Sequence, residues 1–339
     1  MASQVSFSIE ILENPKKILK YLQLGISLPV REEFYEFVLY DLYVYKAKSI
    51  VLRDNNKIVA HTLAYDDGGD ILFFGFFGAI NHEEKYITFL VEELVKYAQK
   101  LQYKTIRGPI NPPIFIYGWG FMTEDSSNEI CISKPVNPPI YQDVFTHHGF
   151  FIKSIQGTWE ADVYKIPEEL LKKYDFTEYE IYSPKTWEDI PELKMPLLML
   201  SARNLAKESR VTPSPEKLFE NFFSFVRKYG GVYMVKLIKH KESGEFVGCF
   251  ITLPDPIKKI QNGKYKSFVG YSLTIDKEHR RKGLSMLIVK EMYDEAYDND
   301  IRHISVPMEG SVFECKNLIK NNLDFSYTRT HLILERNVE

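Results

Sequence analysis

The chain of 339 residues sets 43 Lys and Arg against 46 Asp and Glu, a net charge of −3, which gives no electrostatic case for nucleic acid or an anionic membrane surface. Its 45% apolar and 26% charged residues match a soluble globular protein, and its length exceeds one ordinary domain and points to two. Three cysteines, Cys131, Cys249 and Cys315, lie far apart with no C-x-x-C pair, which speaks against a disulfide framework or a zinc site and fits a cytoplasmic, reducing setting. Residues 1–8 carry neither the basic nor the apolar stretch of a secretory signal. The longest apolar run, residues 71–80, is about half of what a membrane-spanning helix needs and reads as a buried strand.

In chain order, residues 5–11 alternate as a strand and residues 15–24 follow with helical spacing. Residues 49–53 and 57–65 flank Asp54-Asn55-Asn56, a hairpin turn. An apolar strand at 71–79 leads to a helix with Ile87, Leu90, Val91, Leu94, Val95, Ala98 and Leu101 at unbroken 3–4 spacing. A short strand at 104–108 opens a Pro-rich insertion, about 108–139, of the length that is usually functional or disordered. A short helix ending at Gly149-Phe150 and a strand at 159–164 follow.

After Pro167 and a charged run the same order begins again. A strand at 179–182 precedes a helical stretch at 187–205, then a hairpin of 232–239 and 245–253 around Glu242-Ser243-Gly244. An apolar strand at 268–275 leads to a helix carrying Leu284, Leu287, Ile288, Met292 and Ala296. A strand at 303–306, a short helix ending at Asp324-Phe325 and a strand at 330–336 complete the repeat. The chain thus reads as a duplication, residues 1–165 and residues 178–339.

Only the second half has a chemically pointed turn. The strand 268–275 runs through Asp276-Lys277-Glu278-His279 into Arg280-Arg281-Lys282-Gly283-Leu284-Ser285 and then the helix. A row of free N–H groups at the positive end of a helix suits a diphosphate, and three basic side chains add to it. Gly283 lets the backbone approach an anion without a Cβ in the way.

The spacing Arg280-x-x-Gly283-x-Ser285 resembles the acetyl-CoA signature of the GNAT superfamily of acyltransferases, R/Q-x-x-G-x-G/A, with Ser as the final small residue. The doubled element order is similar to the GNAT layout over nearly the whole chain. The resemblance implies an α+β fold of two tandem GNAT-like domains, each a mostly antiparallel, twisted mixed sheet flanked by helices. The first is a degenerate repeat. Where the second has its basic turn, it reads Ala79-Ile80-Asn81-His82-Glu83-Glu84, and those carboxylates repel a diphosphate.

The same resemblance implies an N-acyltransferase in which an amine attacks the thioester of acetyl-CoA, or another acyl-CoA, directly and without a metal. It assigns the pantetheine arm to the backbone of Leu273, Thr274 and Ile275, and the diphosphate to Arg280, Arg281, Lys282, Gly283, Leu284 and Ser285. The acceptor is a small-molecule or peptide amine that the sequence leaves open. The usual acid, a Tyr four residues before a Gly-Phe, is missing: Lys320 stands there, and Asp324-Phe325 replaces the pair. Val269 occupies the place of a carboxylate base carried by some relatives. Tyr327, Glu309 and Tyr271 are the candidates for catalytic proton transfer.

Other readings stay open: a non-catalytic acyl-CoA-binding or regulatory protein, an aminoacyl or long-chain-acyl transferase, or a scaffold. Exposed strand edges leave room for a homodimer. His147-His148 lacks a third metal ligand and reads as a helix-terminal pair. Tyr117-Gly118-Trp119-Gly120-Phe121 reads either as a lid over the cleft or as a plug in the first repeat.

Overall fold

The computed structural model describes residues 7–25, 28–124, 126, 129–204, 211–258, 266–309 and 325–338. The first half comprises β1 (Phe7–Leu12), α1 (Pro15–Leu22), α2 (Tyr35–Val44), β2 (Lys48–Asp54), β3 (Lys57–Tyr65), β4 (Ile71–Ala79), α3 (Glu84–Lys100) and β5 (Thr105–Gly108). The insertion contributes α4 (Ile114–Tyr117) and β6 (Phe121–Met122), and α5 (Ile140–His147) and β7 (Phe151–Asp162) close the half. The second half repeats the order with β8 (Tyr179–Tyr182), α6 (Ile190–Asn204), α7 (Pro215–Tyr229), β9 (Val235–His240), β10 (Phe246–Pro254), β11 (Ser267–Ile275), α8 (Leu284–Asp298), β12 (His303–Glu309) and β13 (Ser326–Asn337).

Local chemistry explains most boundaries. Asn14 caps α1, its Oδ1 accepting from the amides of Lys16 and Lys17, with Pro15 pre-set for the first turn. Asn55 and Asn56 both take positive φ, 47° and 68°, as the two-residue β2–β3 hairpin requires. The apolar stripe of α3, from Ile87 to Ala98, is buried against the sheet. Residues 232–234 form a 3₁₀ turn in place of the expected strand start, so β9 begins at Val235. The helix expected before Asp324-Phe325 lies outside the described residues, apart from Phe325 itself.

All thirteen strands among the described residues join one mixed sheet, in the order β1-β2-β3-β4-β5-β13-β7-β12-β11-β10-β9-β8, with β6 added beside β13. The halves exchange their closing strands. Leu334 of β13 lies opposite Gly108 of β5 in the first half, and Trp159 of β7 lies opposite Val306 of β12 in the second. β7 and β13 then pair with each other along the seam. The sequence reading put a short closing strand inside each half. Both strands run 12 residues instead, long enough to pair with a neighbour on each side.

Charged groups clamp the seam. Arg329 on β13, fully buried, reaches Glu160 on β7 at 3.1 Å. Arg107 on β5 meets Glu335 on β13 at 2.5 Å, both side chains 10% exposed. Such pairs cost desolvation, and removing one partner strands the other. On one face of the sheet α2 of the first half packs on α7 of the second, through Phe37 and Phe225 with ring centroids 5.4 Å apart. The sequence reading assigned neither helix, although α7 has a clear apolar side and a charged side. No helix among the described residues is long and apolar enough to cross a membrane.

Candidate functional site

β11 positions the site. It pairs in parallel with β12 only from Ser267, opposite His303, to Val269, opposite Ser305. Beyond Val269 the strands part, and residues 270–275 keep partners on β10 alone. The cause is visible in the register against β10. Ile251 lies opposite Ser272 but Thr252 lies opposite Gly270, so Tyr271 is the extra residue of a bulge that bends the strand. On the opened edge Leu273 is 47% exposed, a large apolar side chain without cover, flanked by half-buried Thr274 and Ile275.

At the end of β11 the chain makes one 3₁₀ turn and enters α8 through two left-handed residues, Arg281 (φ 65°) and Gly283 (φ 79°). Gly283 is the N-cap and offers no side-chain bond. The first amide to find an acceptor is that of Leu287, which donates to the Gly283 carbonyl at 3.1 Å. The amides of Arg281, Lys282, Gly283, Leu284, Ser285 and Met286 have no acceptor among the described residues. This is the arrangement that attracts an anion to a helix N-terminus.

The basic side chains are partly engaged. Arg280 Nε donates to the Ile275 carbonyl at 3.0 Å and its Nη2 to Asn204 Oδ1 at 3.3 Å. Lys282 Nζ donates to the Tyr179 hydroxyl at 2.8 Å and lies 3.6 Å from Glu178. Arg281 is exposed. Burial, then the charges of His240 and Lys282, push neighbouring His279 below its ordinary value, with Asp276 and Glu278 opposing.

One contact was not foreseen. The ring of Tyr174, from the segment joining the halves, lies on the open side of Gly283. A Cβ built there would fall 2.4 to 2.7 Å from its Cγ, Cδ1 and Cδ2. Nothing in the charged run around Tyr174 signals this in the sequence.

Of the proton-transfer candidates, Tyr271 and Tyr327 are not assembled around one point. Tyr271 turns onto Phe222 of α7, centroids 4.6 Å apart. Burial first, then the nearby carboxylate of Asp41, pushes its phenol up to about 12. Tyr327 packs edge-on against Trp159 at 5.1 Å and its hydroxyl bonds Thr330 Oγ1. Trp159 pairs with Val306, on the side that Gly270 faces, so Tyr327 and Tyr271 lie on opposite faces of the sheet. Glu309 ends β12, its backbone opposite Gln156. Lys320 lies outside the described residues. Val269, fully buried, holds the position where a carboxylate was sought.

The equivalent place in the first half is blocked. β4 leaves β5 after Phe73, but the insertion enters the gap. The Ile110 amide donates to the Phe74 carbonyl at 2.7 Å, and the Phe76 amide donates to Asn111 Oδ1 at 2.6 Å. Gly75 permits this approach, since a Cβ there would meet the Ile110 carbonyl oxygen at 2.0 Å. Of the two roles weighed for residues 117–121, the structure has the plug: Tyr117 and Phe121 are buried with the insertion. Glu83 caps α3 and Glu84 begins it. His147 and His148 bond the carbonyls of Asp143 and Val144, each at 2.8 Å, at the end of α5.

No family model matches the chain, and no curated protein does. Solved structures do. A GCN5-related N-acetyltransferase from Sphaerobacter thermophilus is 9% identical, covers 98% of this chain and 96% of its own, and superimposes with a TM-score of 0.59. A tandem GNAT protein from the clavulanic acid biosynthesis pathway is 12% identical over 98% of this chain and 99% of its own, TM-score 0.59. A glucosamine N-acetyltransferase region of a fungal multi-domain β-N-acetylglucosaminidase is 13% identical over 99% of this chain and 38% of that one, TM-score 0.67. At such identities the likeness is one of fold. The chain has the GNAT acyltransferase fold, twice over.

Proposed function

We propose that the chain is a GNAT-type N-acyltransferase that uses acetyl-CoA or another acyl-CoA. Residues 178–339 hold the acyl donor, and residues 1–165 with their insertion close the acceptor side. The observation that carries this reading is the run of unpartnered amides from Arg281 to Met286 at the mouth of α8, beside a strand that has left its neighbour. The two buried, unpaired cysteines, Cys131 and Cys249, fit a reducing cytoplasm.

Acyl-CoA supplies a thioester open to direct attack by an amine. The amides of Arg281 to Ser285 bind the diphosphate, with Arg280, Arg281 and Lys282 adding charge. The opened edge of β11 at Leu273, Thr274 and Ile275 offers backbone groups to the pantetheine arm, as an added strand does. The Tyr271 phenol, kept protonated by burial, has a proton to donate at neutral pH. Tyr327 and Glu309 stand as the groups that exchange protons with leaving group and amine. The acceptor is a small-molecule or peptide amine.

Calorimetric titration with acetyl-CoA tests the reading. Wild type binds, and Gly283→Glu, which puts a carboxylate into the nest, loses at least tenfold in affinity, on the order of the ~1.4 kcal/mol that a tenfold step represents. No binding at millimolar acetyl-CoA, or equal binding by the variant, rejects it. A non-catalytic acyl-CoA-binding protein is the second reading, favoured by the separation of Tyr271 and Tyr327 across the sheet. It predicts binding with no thiol release against any amine.

A further inference from the structure

We infer that Tyr174 is a cap on the diphosphate nest, carried by the segment between the halves, and that acyl-CoA binds only after the ring has left Gly283. The inference rests on the reading of residues 280–285 as that nest. Glycine at position 283 leaves one side of the backbone open, and that side is filled by the Tyr174 ring, whose Cγ would lie 2.4 Å from a Cβ. A phosphate approaching Gly283 from its open side needs the same volume. Ring and anion therefore exclude each other.

The segment is built to release this one side chain. Downstream it is pinned. The Tyr179 hydroxyl accepts from Lys282 Nζ at 2.8 Å and meets His279 Nδ1 at 2.9 Å. Lys241 Nζ donates to the Thr177 carbonyl at 2.6 Å, and Asp175 caps the Thr177 amide at 2.9 Å. Upstream the Ile166 amide donates to Asp294 Oδ1 at 3.2 Å, and Lys165 pairs with Asp298 at 2.7 Å on α8. Between the anchors, Tyr174 is held by the Leu171 carbonyl at 2.9 Å through its backbone, and its ring by packing alone. Its neighbours are Lys173 Nζ at 5.1 Å and Phe176 at 6.0 Å. Its hydroxyl has no hydrogen bond among the described residues, so a χ1 rotation frees the ring without breaking a polar contact.

Lys282 reaches back to Tyr179 and Glu178 beside the cap, contacts that do not depend on where the Tyr174 ring lies. Small anions that bring too few contacts to displace an aromatic ring are kept off the amides. A ligand that also lines the opened edge of β11 brings enough.

Acetyl-CoA binding to wild type, Tyr174→Ala and Tyr174→Phe, measured by calorimetry and stopped-flow, tests the cap. A ring that covers the nest in about nine molecules of ten lowers the apparent affinity about tenfold. Tyr174→Ala is then expected to bind about tenfold more tightly, through a faster association, while Tyr174→Phe behaves as wild type. Amide exchange at Gly283 and Leu284, without ligand, is expected to quicken in Tyr174→Ala only. Equal affinities in all three, or weaker binding by Tyr174→Ala, overturns the cap while leaving the nest standing. Silence of all three toward millimolar acetyl-CoA overturns the nest and the cap with it.

Discussion

Asp41 gives the sharpest test of how the halves are joined. It sits on α2, fully buried against α7. Asn221 Nδ2 donates to its Oδ1 at 2.7 Å and to the Phe37 carbonyl at 2.8 Å, while Oδ2 has no partner among the described residues. Burial pushes the carboxyl up to about 7, and the hydrogen bond from Asn221 offsets only part of this. The groups that share its electrostatics are the phenols of Tyr45 at the C-cap of its helix, Tyr65 on β3 and Tyr271 on β11, with Asp67 beyond them. None brings a positive charge.

Unfolded, Asp41 releases its proton near the ordinary 3.8; folded, it keeps it to about 7. Across that window the native state binds more protons, so stability falls as pH rises and stays at its lower level above about 7. Roughly three pH units at ~1.4 kcal/mol each come to about 4 kcal/mol. Asp41→Asn removes the charge and keeps an oxygen to accept from Asn221. Buried His61 and His331 act in the opposite sense. Burial holds them neutral down to about 4 and about 3, so acidification below their ordinary value favours the unfolded chain. The difference between variant and wild type cancels their effect. Urea unfolding from about pH 4 to about pH 8 is the assay. The two proteins should converge in acid, and the variant should become the more stable by up to about 4 kcal/mol in mild base. A difference that does not change with pH refutes the argument.

Two further substitutions probe the seam and the plug. Arg329→Met leaves Glu160 without its 3.1 Å partner and should cost about 3 to 5 kcal/mol in denaturant unfolding, with part recovered by adding Glu160→Gln. An unchanged midpoint would remove the pair from the seam. Gly75→Ala places a methyl 2.0 Å from the Ile110 carbonyl oxygen and should cost about 1 to 3 kcal/mol, with faster proteolysis within the insertion; unchanged stability and cleavage would show that the plug yields freely.

Much of the fold was legible because it follows from local signals. Alternation, the Asp54-Asn55-Asn56 turn and the stripe of α3 each fix their element without reference to the rest of the chain. The shape of the turn proposed for the diphosphate was legible for the same reason, since Arg280 to Ser285 are consecutive. What stayed hidden is non-local. The exchange of β7 and β13 depends on which neighbour a strand finds, and the pattern of a strand buried on both faces is the same beside either partner. Helices α2 and α7 were missed for different reasons. The aromatic run of α2 has little one-sided pattern, whereas α7 does carry an exposed charged face, Glu216, Lys217, Glu220, Arg227 and Lys228, opposite buried Phe222 and Phe225, and that signal was there to be read. Tyr174 over Gly283 is a contact across more than a hundred positions, and no spacing rule reaches that far.

The same geometry explains how one half can lose its groove and still be indispensable. Ile110 and Asn111 occupy the gap beside β4, and Glu83 and Glu84 stand where a diphosphate would need positive charge. Yet β7 is the only strand among the described residues that pairs along β12 opposite β11, and it carries Glu160. Burial pushes that carboxyl up; the bond from His303 and the charges of Lys258 and Arg329 outweigh it and hold it at about 2. Ionised across the physiological range, Glu160 keeps fully buried Arg329 paired. The first half is therefore constrained where it builds the second half's sheet, while the gap beside its own β4 is filled by its insertion.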